Sequence, residues 1–131
     1  MKPRQRNYQP GHRRDPNRKF NGRKEIDALY DKQWEAYRLK FLAINRECYA
    51  CGKAAEVVDH LKPHKGSILL FKQTDNHIPL CIKCHNTVTT KFDRHYREGN
   101  PITDKILWLN RNRIPTESWT PKRVKVMPSY G

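Results

Sequence analysis

The chain has 131 residues, 36% hydrophobic and 31% charged, with a mean hydropathy of -1.00; this suffices for one small domain with little apolar material to bury, so a staple is expected. Lys and Arg outnumber Asp and Glu by 27 to 13, giving a formal net charge of +14 and a pI near 9.9; polyanions gather on such a chain through counterion release, and nucleic acid is the default partner. A membrane is excluded as partner, because no apolar run approaches the ~18 to 20 residues of a spanning helix and no basic helix carries a wide apolar face.

Residues 1 to 25 hold nine Lys or Arg, two acidic residues and three Pro, with almost nothing to bury. They are expected to form a basic arm, disordered when free, that tracks phosphates. Met1 to Lys24 contain no apolar segment of the kind a secretory signal needs, so the chain is expected in a reducing compartment, the cytoplasm. From Ile26 to Ile44 the residues Ile26, Tyr30, Trp34, Tyr37, Phe41 and Ile44 recur at steps of three and four. That spacing predicts one amphipathic helix whose aromatic stripe is core rather than a stacking platform for bases.

Cys48-Tyr-Ala-Cys51-Gly52 follows, with the glycine permitting a tight turn. Val57 and Val58 introduce Asp59 and His60 on a short predicted strand. Lys62 to Gly66 form a basic turn-rich loop, and Ile68 to Phe71 supply a second apolar run. Asp75 and Asn76 mark a turn before Ile78, Pro79 and Leu80 lead into Cys81 and Cys84. His85, Val88, Phe92 and Tyr96 fall at helical spacing, with Gly99 placed as a C-terminal cap. A last helix is predicted from Asn100 as N-cap and Pro101 at the first position, through Ile102, Ile106 and Leu109. Arg111 to Gly131 read as an extended tail or a loosely docked arm. In outline, residues 1–25 are an arm, 26–98 the α+β domain, and 99–131 a helix and basic tail.

Two Cys-x-x-Cys pairs, Cys48/Cys51 and Cys81/Cys84, are separated by 29 residues. In a reducing compartment such pairs read as the two halves of one tetrahedral Zn2+ site rather than as disulfides, and a redox dithiol would want a βαβ context that is not present. Four thiolates close the zinc shell, so this metal is structural. The staple brings Asp59 and His60 towards His85, the residue next to Cys84. A carboxylate and an imidazole leave most positions of a divalent ion open for water and phosphate oxygens, as Lewis-acid chemistry requires. Neighbours on a strand point to opposite faces, so one of Asp59 and His60 is expected on the metal and the other to act alone; the residues do not say which. A neutral imidazole suits proton abstraction from water.

The ordered set Cys-x-x-Cys, Val-Asp-His, Asp-Asn, Leu-Cys-x-x-Cys-His resembles the HNH endonuclease family in its zinc-containing form, common in phages and mobile elements. The similarity spans roughly residues 29 to 95 and includes Tyr30, Trp34 and Arg38. It implies a small ββα-metal fold, His60 as general base, Asp59 and His85 on one catalytic divalent ion, Mg2+ or Mn2+ before others, and Asn76 bracing the hairpin through its backbone. It also implies DNA as partner, a bacterial or phage-infected host cell, and other phage or packaging proteins as further partners of a chain whose oligomeric state the sequence leaves open. Relatives often carry a Lys three residues after the final His, where this chain has Val88. Lys91 or Arg94 is expected to replace that phosphate contact, with Arg38 and His64 as further candidates. His77 and His95 are expected to be exposed or partly packed. Two functions follow as expectations: a metal-dependent DNA endonuclease that nicks or cuts both strands, leaving 5′-phosphate and 3′-hydroxyl ends, or a non-catalytic zinc module that binds nucleic acid.

Overall fold

The structure, a computed structural model, describes residues 22–97, 99–111, 124–128 and 130. The N-terminal arm therefore lies outside the described residues, apart from its last four. Among these residues the elements run α1 (Arg23–Asp27), α2 (Lys32–Ile44), β1 (Val57–His60), α3 (Ile68–Lys72), β2 (His77–Leu80), α4 (Ile82–Lys91) and α5 (Thr103–Asn110), with 3-10 turns at Thr74–Asn76 and Asp93–His95. The chain is thus a small α+β domain on a two-stranded sheet. No helix among the described residues is long and apolar enough to cross a membrane.

The single helix expected over Ile26 to Ile44 is two helices. Asp31 adopts an extended conformation and its carboxylate accepts a hydrogen bond from Trp34 N at 2.9 Å, capping α2 and ending the register of α1. Trp34, Tyr37 and Phe41 of the expected stripe are buried and Ile26 is partly so, whereas Tyr30 and Ile44 are exposed. The Cys48–Gly52 turn closes through Gly52 N to Cys48 O at 2.9 Å, with Gly52 at φ 79°, a value L side chains rarely adopt.

β1 and β2 pair antiparallel, with Val57 opposite Leu80, Asp59 opposite Ile78 and His60 opposite His77. Pro79 sits within this ladder, tolerable because both strands are edges; its carbonyl accepts from Tyr49 N at 2.8 Å and ties the first cysteine turn to the sheet. The apolar run Ile68 to Phe71 forms helix α3, capped by Ser67 Oγ accepting from Leu70 N at 3.2 Å. A run so short carries no period, and a serine cap decides it.

α4 begins at Cys81, whose sulfur accepts from Cys84 N at 3.4 Å, and ends at Lys91, well before Gly99. Phe92 leaves helical geometry at φ -124°, so Gly99, although at φ 88°, does not cap this helix. α5 starts at Thr103 with Ile102 in the cap position, later than Asn100 and Pro101 predicted. Residues beyond 98 pack on the same core: Leu109 is fully buried and Val124 nearly so. The segment expected as an extended tail or a loosely docked arm is docked where it is described. Asn45 donates through Nδ2 to Lys125 O at 2.9 Å and accepts through Oδ1 from Lys125 N at 2.8 Å, while the Tyr130 ring lies 5.1 Å from that of Tyr37.

Candidate active site beside a four-cysteine metal centre

The four cysteine sulfurs all lie within 4.8 Å of one another, and none is in a disulfide. Cys51 Sγ and Cys81 Sγ are 3.7 Å apart. A tetrahedron with Zn–S bonds of about 2.3 Å has edges of about 3.8 Å, so the thiols fit that ion and lie far outside bonding distance for a disulfide. The cluster can hold a metal and is consistent with structural zinc. Burial works to raise the Cys81 thiol, but the Cys84 amide and the neighbouring thiols outweigh it and hold its pKa below the ordinary value.

One turn into α4, His85 Nδ1 lies 3.1 Å from Asp59 Oδ1. The staple and the strand thus bring together the two residues expected to share an ion. Two cis ligands with bonds of about 2.1 Å stand about 3.0 Å apart on an octahedral cation, so the spacing fits such an ion. The Asp59 side chain is 6% exposed and that of His85 33%, leaving the pair approachable from the His85 side. Burial works to raise the Asp59 pKa, but the bonds from His85 and the Lys105 charge prevail and lower it; His85, through its bond to Asp59, is raised against the effect of burial.

The His60 side chain has hydrogen-bond partners different from those of Asp59. Its Nε2 lies 3.1 Å from Phe71 O, and His77 Nε2 lies 2.7 Å from the same oxygen. A carbonyl only accepts, so both imidazoles carry their proton on Nε2 and keep a lone pair on Nδ1. For His77 that lone pair accepts from Tyr37 Oη at 2.6 Å. The Phe71 carbonyl is available because it ends a five-residue helix, where the last carbonyls have no intrahelical donor. The His60 ring stacks on Trp34 with centroids 5.6 Å apart and is pushed down to about 3 by burial and then by the charges of His77 and His64, so it is neutral at pH 7.

Asp59, His60, His64 and His85 line one open cleft of about 640 Å³, together with Tyr30 and Arg38. His64 Nδ1 accepts from Gly66 N at 3.0 Å, so its Nε2 carries the proton and donates to Tyr30 Oη at 3.1 Å. Burial and the Lys65 charge push His64 down to about 4. It is therefore a neutral donor at pH 7, not a cation. Arg38 reaches the cleft but is paired with Glu35 at 2.9 Å. Lys91 and Arg94 are exposed and do not line the cleft, whereas Lys65 does. Asn76 is buried in the hairpin: its Oδ1 accepts from Lys62 N and its Nδ2 donates to Lys62 O, both at 2.9 Å. His77 is 1% exposed, against the expectation of an exposed or partly packed ring, because Tyr37 and Phe71 satisfy both its nitrogens. His95 is exposed as expected.

Sequence reasoning missed Lys105 and Asp93. Lys105 is 2% exposed, and its Nζ donates to Asp59 Oδ2 at 3.0 Å, His60 O at 2.9 Å and Asp93 Oδ1 at 2.9 Å. A signal was present: Lys105 lies three residues after Ile102 and four before Leu109, on the apolar face of its helix, where a solvated lysine does not belong. No protein-family model, curated protein or solved structure matches this chain.

Proposed function

We propose that the protein is a metal-dependent DNA endonuclease of the HNH type, with Zn2+ in the four-cysteine site. The observation that carries the reading is the joint placement of Asp59 Oδ1 and His85 Nδ1, 3.1 Å apart, in the cleft lined by His60. Asp59 and His85 would hold a divalent ion, Mg2+ or Mn2+, which when bound would supply Lewis-acid stabilisation of the phosphate charge. His60 is neutral, in one tautomer, and accepts the proton of the attacking water at Nδ1. The resulting imidazolium is stabilised by the Phe71 carbonyl at Nε2 and by the Asp59 charge, both of which act to raise the His60 pKa. His64 offers its Nε2 proton to a phosphate oxygen by exchanging Tyr30 for it. Asn76 fixes the backbone of the hairpin loop that carries His64.

The basic surface draws DNA without sequence preference, and a single site cuts one strand per engagement, so nicking is the elementary event. The test is nicking of supercoiled plasmid with Mg2+ or Mn2+. A His60→Ala variant should lose about 10² to 10⁴ in rate while keeping zinc content and DNA affinity. Wild-type protein that leaves plasmid intact across divalent ions, or a His60→Ala variant that cuts equally well, rejects the enzyme and leaves a zinc-stabilised nucleic-acid-binding module, which the +14 charge alone would support.

A further inference from the structure

We infer that Lys105 is a positioning residue that rations the carboxylate oxygens of the ion site, an assignment that rests on reading Asp59 and His85 as ion ligands. A lysine ammonium has three protons, and all three are used here, on Asp59 Oδ2, Asp93 Oδ1 and His60 O. With none left for substrate and with 2% of its surface exposed, Lys105 acts through the groups it holds.

What it holds is specific. Asp59 has two oxygens, and Lys105 occupies Oδ2, so only Oδ1 faces His85. An ion held there would be confined to one carboxylate oxygen, of Asp59, and one imidazole nitrogen, of His85, leaving its other positions for water and phosphate. Asp93 also lines the cleft, and its carboxylate is drawn onto the same ammonium. Without that tether Asp59 could chelate through both oxygens and Asp93 could join it. Affinity for a hard divalent cation rises with the number and charge of carboxylate oxygens offered, so the untethered site would bind its ion more tightly and with fewer open positions. The third bond, to the carbonyl of His60, pins the strand where the proposed base sits. The Lys105 ammonium therefore holds ion affinity down and keeps coordination positions open for phosphate.

The test is Mn2+ titration of the zinc-loaded full chain, read by the paramagnetic resonance signal of unbound Mn2+ in the absence of DNA, with plasmid nicking measured alongside. Lys105→Met should bind Mn2+ roughly tenfold more tightly, because one competing cation is gone and two carboxylates are released. Its turnover should nevertheless fall by about tenfold or more as ion positions close. A purely structural role would weaken both. Adding Asp93→Asn to Lys105→Met should return much of the affinity towards wild type. Where Lys105→Met fails to fold, Asp93→Asn alone reads the same linkage: it leaves the ammonium to Asp59 and should weaken Mn2+ binding several-fold.

Mn2+ binding that is unchanged or weaker in folded Lys105→Met, or unchanged or tighter in Asp93→Asn, overturns the assignment. If that happens while wild-type protein nicks plasmid, Lys105 alone is misassigned. If the affinity order holds but no plasmid is nicked, the nuclease reading falls and the Lys105 assignment stands.

Discussion

Replacing Asn76 should separate the two halves of its side chain. Both bonds to Lys62 are 2.9 Å long, and the residue is 7% exposed, so little water competes for them. Two such bonds contribute roughly 0.5 to 1.5 kcal/mol each, and Asn76→Ala should cost about 2 kcal/mol. For a domain of this size that lowers the melting temperature by roughly 10 °C. Asn76→Asp keeps the oxygen that accepts from Lys62 N but turns the donor facing Lys62 O into a second oxygen. Acceptor then meets acceptor beside a buried charge, so at pH 7.5 the aspartate should be less stable than the alanine by a further ~1 to 2 kcal/mol. The gap should narrow in acid, where a protonated carboxyl can donate to Lys62 O. Urea unfolding of zinc-loaded protein, followed by tryptophan fluorescence, gives the order directly. An aspartate variant as stable as the alanine, or an alanine variant within about 0.5 kcal/mol of wild type, would refute the bracing role.

Two other perturbations report on the metal staple and the buried histidines. Chelation of zinc should unfold the chain, since structural zinc binding is worth about 10 to 16 kcal/mol against total stabilities of about 5 to 15. Cys81→Ser should do the same even though a serine caps α4 at least as well as the thiol does. Circular dichroism with chromogenic zinc release checks both, and an unchanged melting curve after chelation would contradict them. The second concerns acid. Burial, then the His77 and His64 charges, depresses His60 to about 3, so between there and the unfolded value near 6.5 the unfolded chain binds the extra proton. The stabilising contribution is complete above pH 6.5 and lost as pH falls towards 3. His60→Asn removes that proton and should flatten the stability profile in this window by about 1.4 kcal/mol per pH unit relative to wild type; parallel profiles would show that His60 is not depressed.

The parts of the site legible in the sequence are those fixed by local spacing. The cysteine pairs, the strand carrying Asp59 and His60, and the position of His85 one residue past Cys84 all follow from short-range pattern. The buried face of α2 follows from its period, but the start of the helix does not, because Ile26 and Tyr30 continue the period across a break that Asp31 imposes. Helix α3 is hidden for a related reason: five residues are too few to show a period. Lys105 comes from 46 residues beyond Asp59, and His77 is buried by Tyr37, 40 residues away. Such pairings depend on how elements dock, which no local window contains. Of the expected phosphate contacts, Arg38 and His64 line the cleft, whereas Lys91 and Arg94, at and beyond the end of α4, do not, and the helix end that separates them is not visible in local spacing.

Tyr37 Oη, the His77 ring, the Phe71 oxygen and the His60 ring form one continuous hydrogen-bonded chain from helix α2 to the cleft. Two imidazoles lean on a single oxygen, so a stronger claim by one is felt by the other. When His60 gains a proton its hold on Phe71 tightens and that of His77 slackens. The His77 ring is 1% exposed, so its Nε2 resonance should register the charge on His60 from a position outside the cleft.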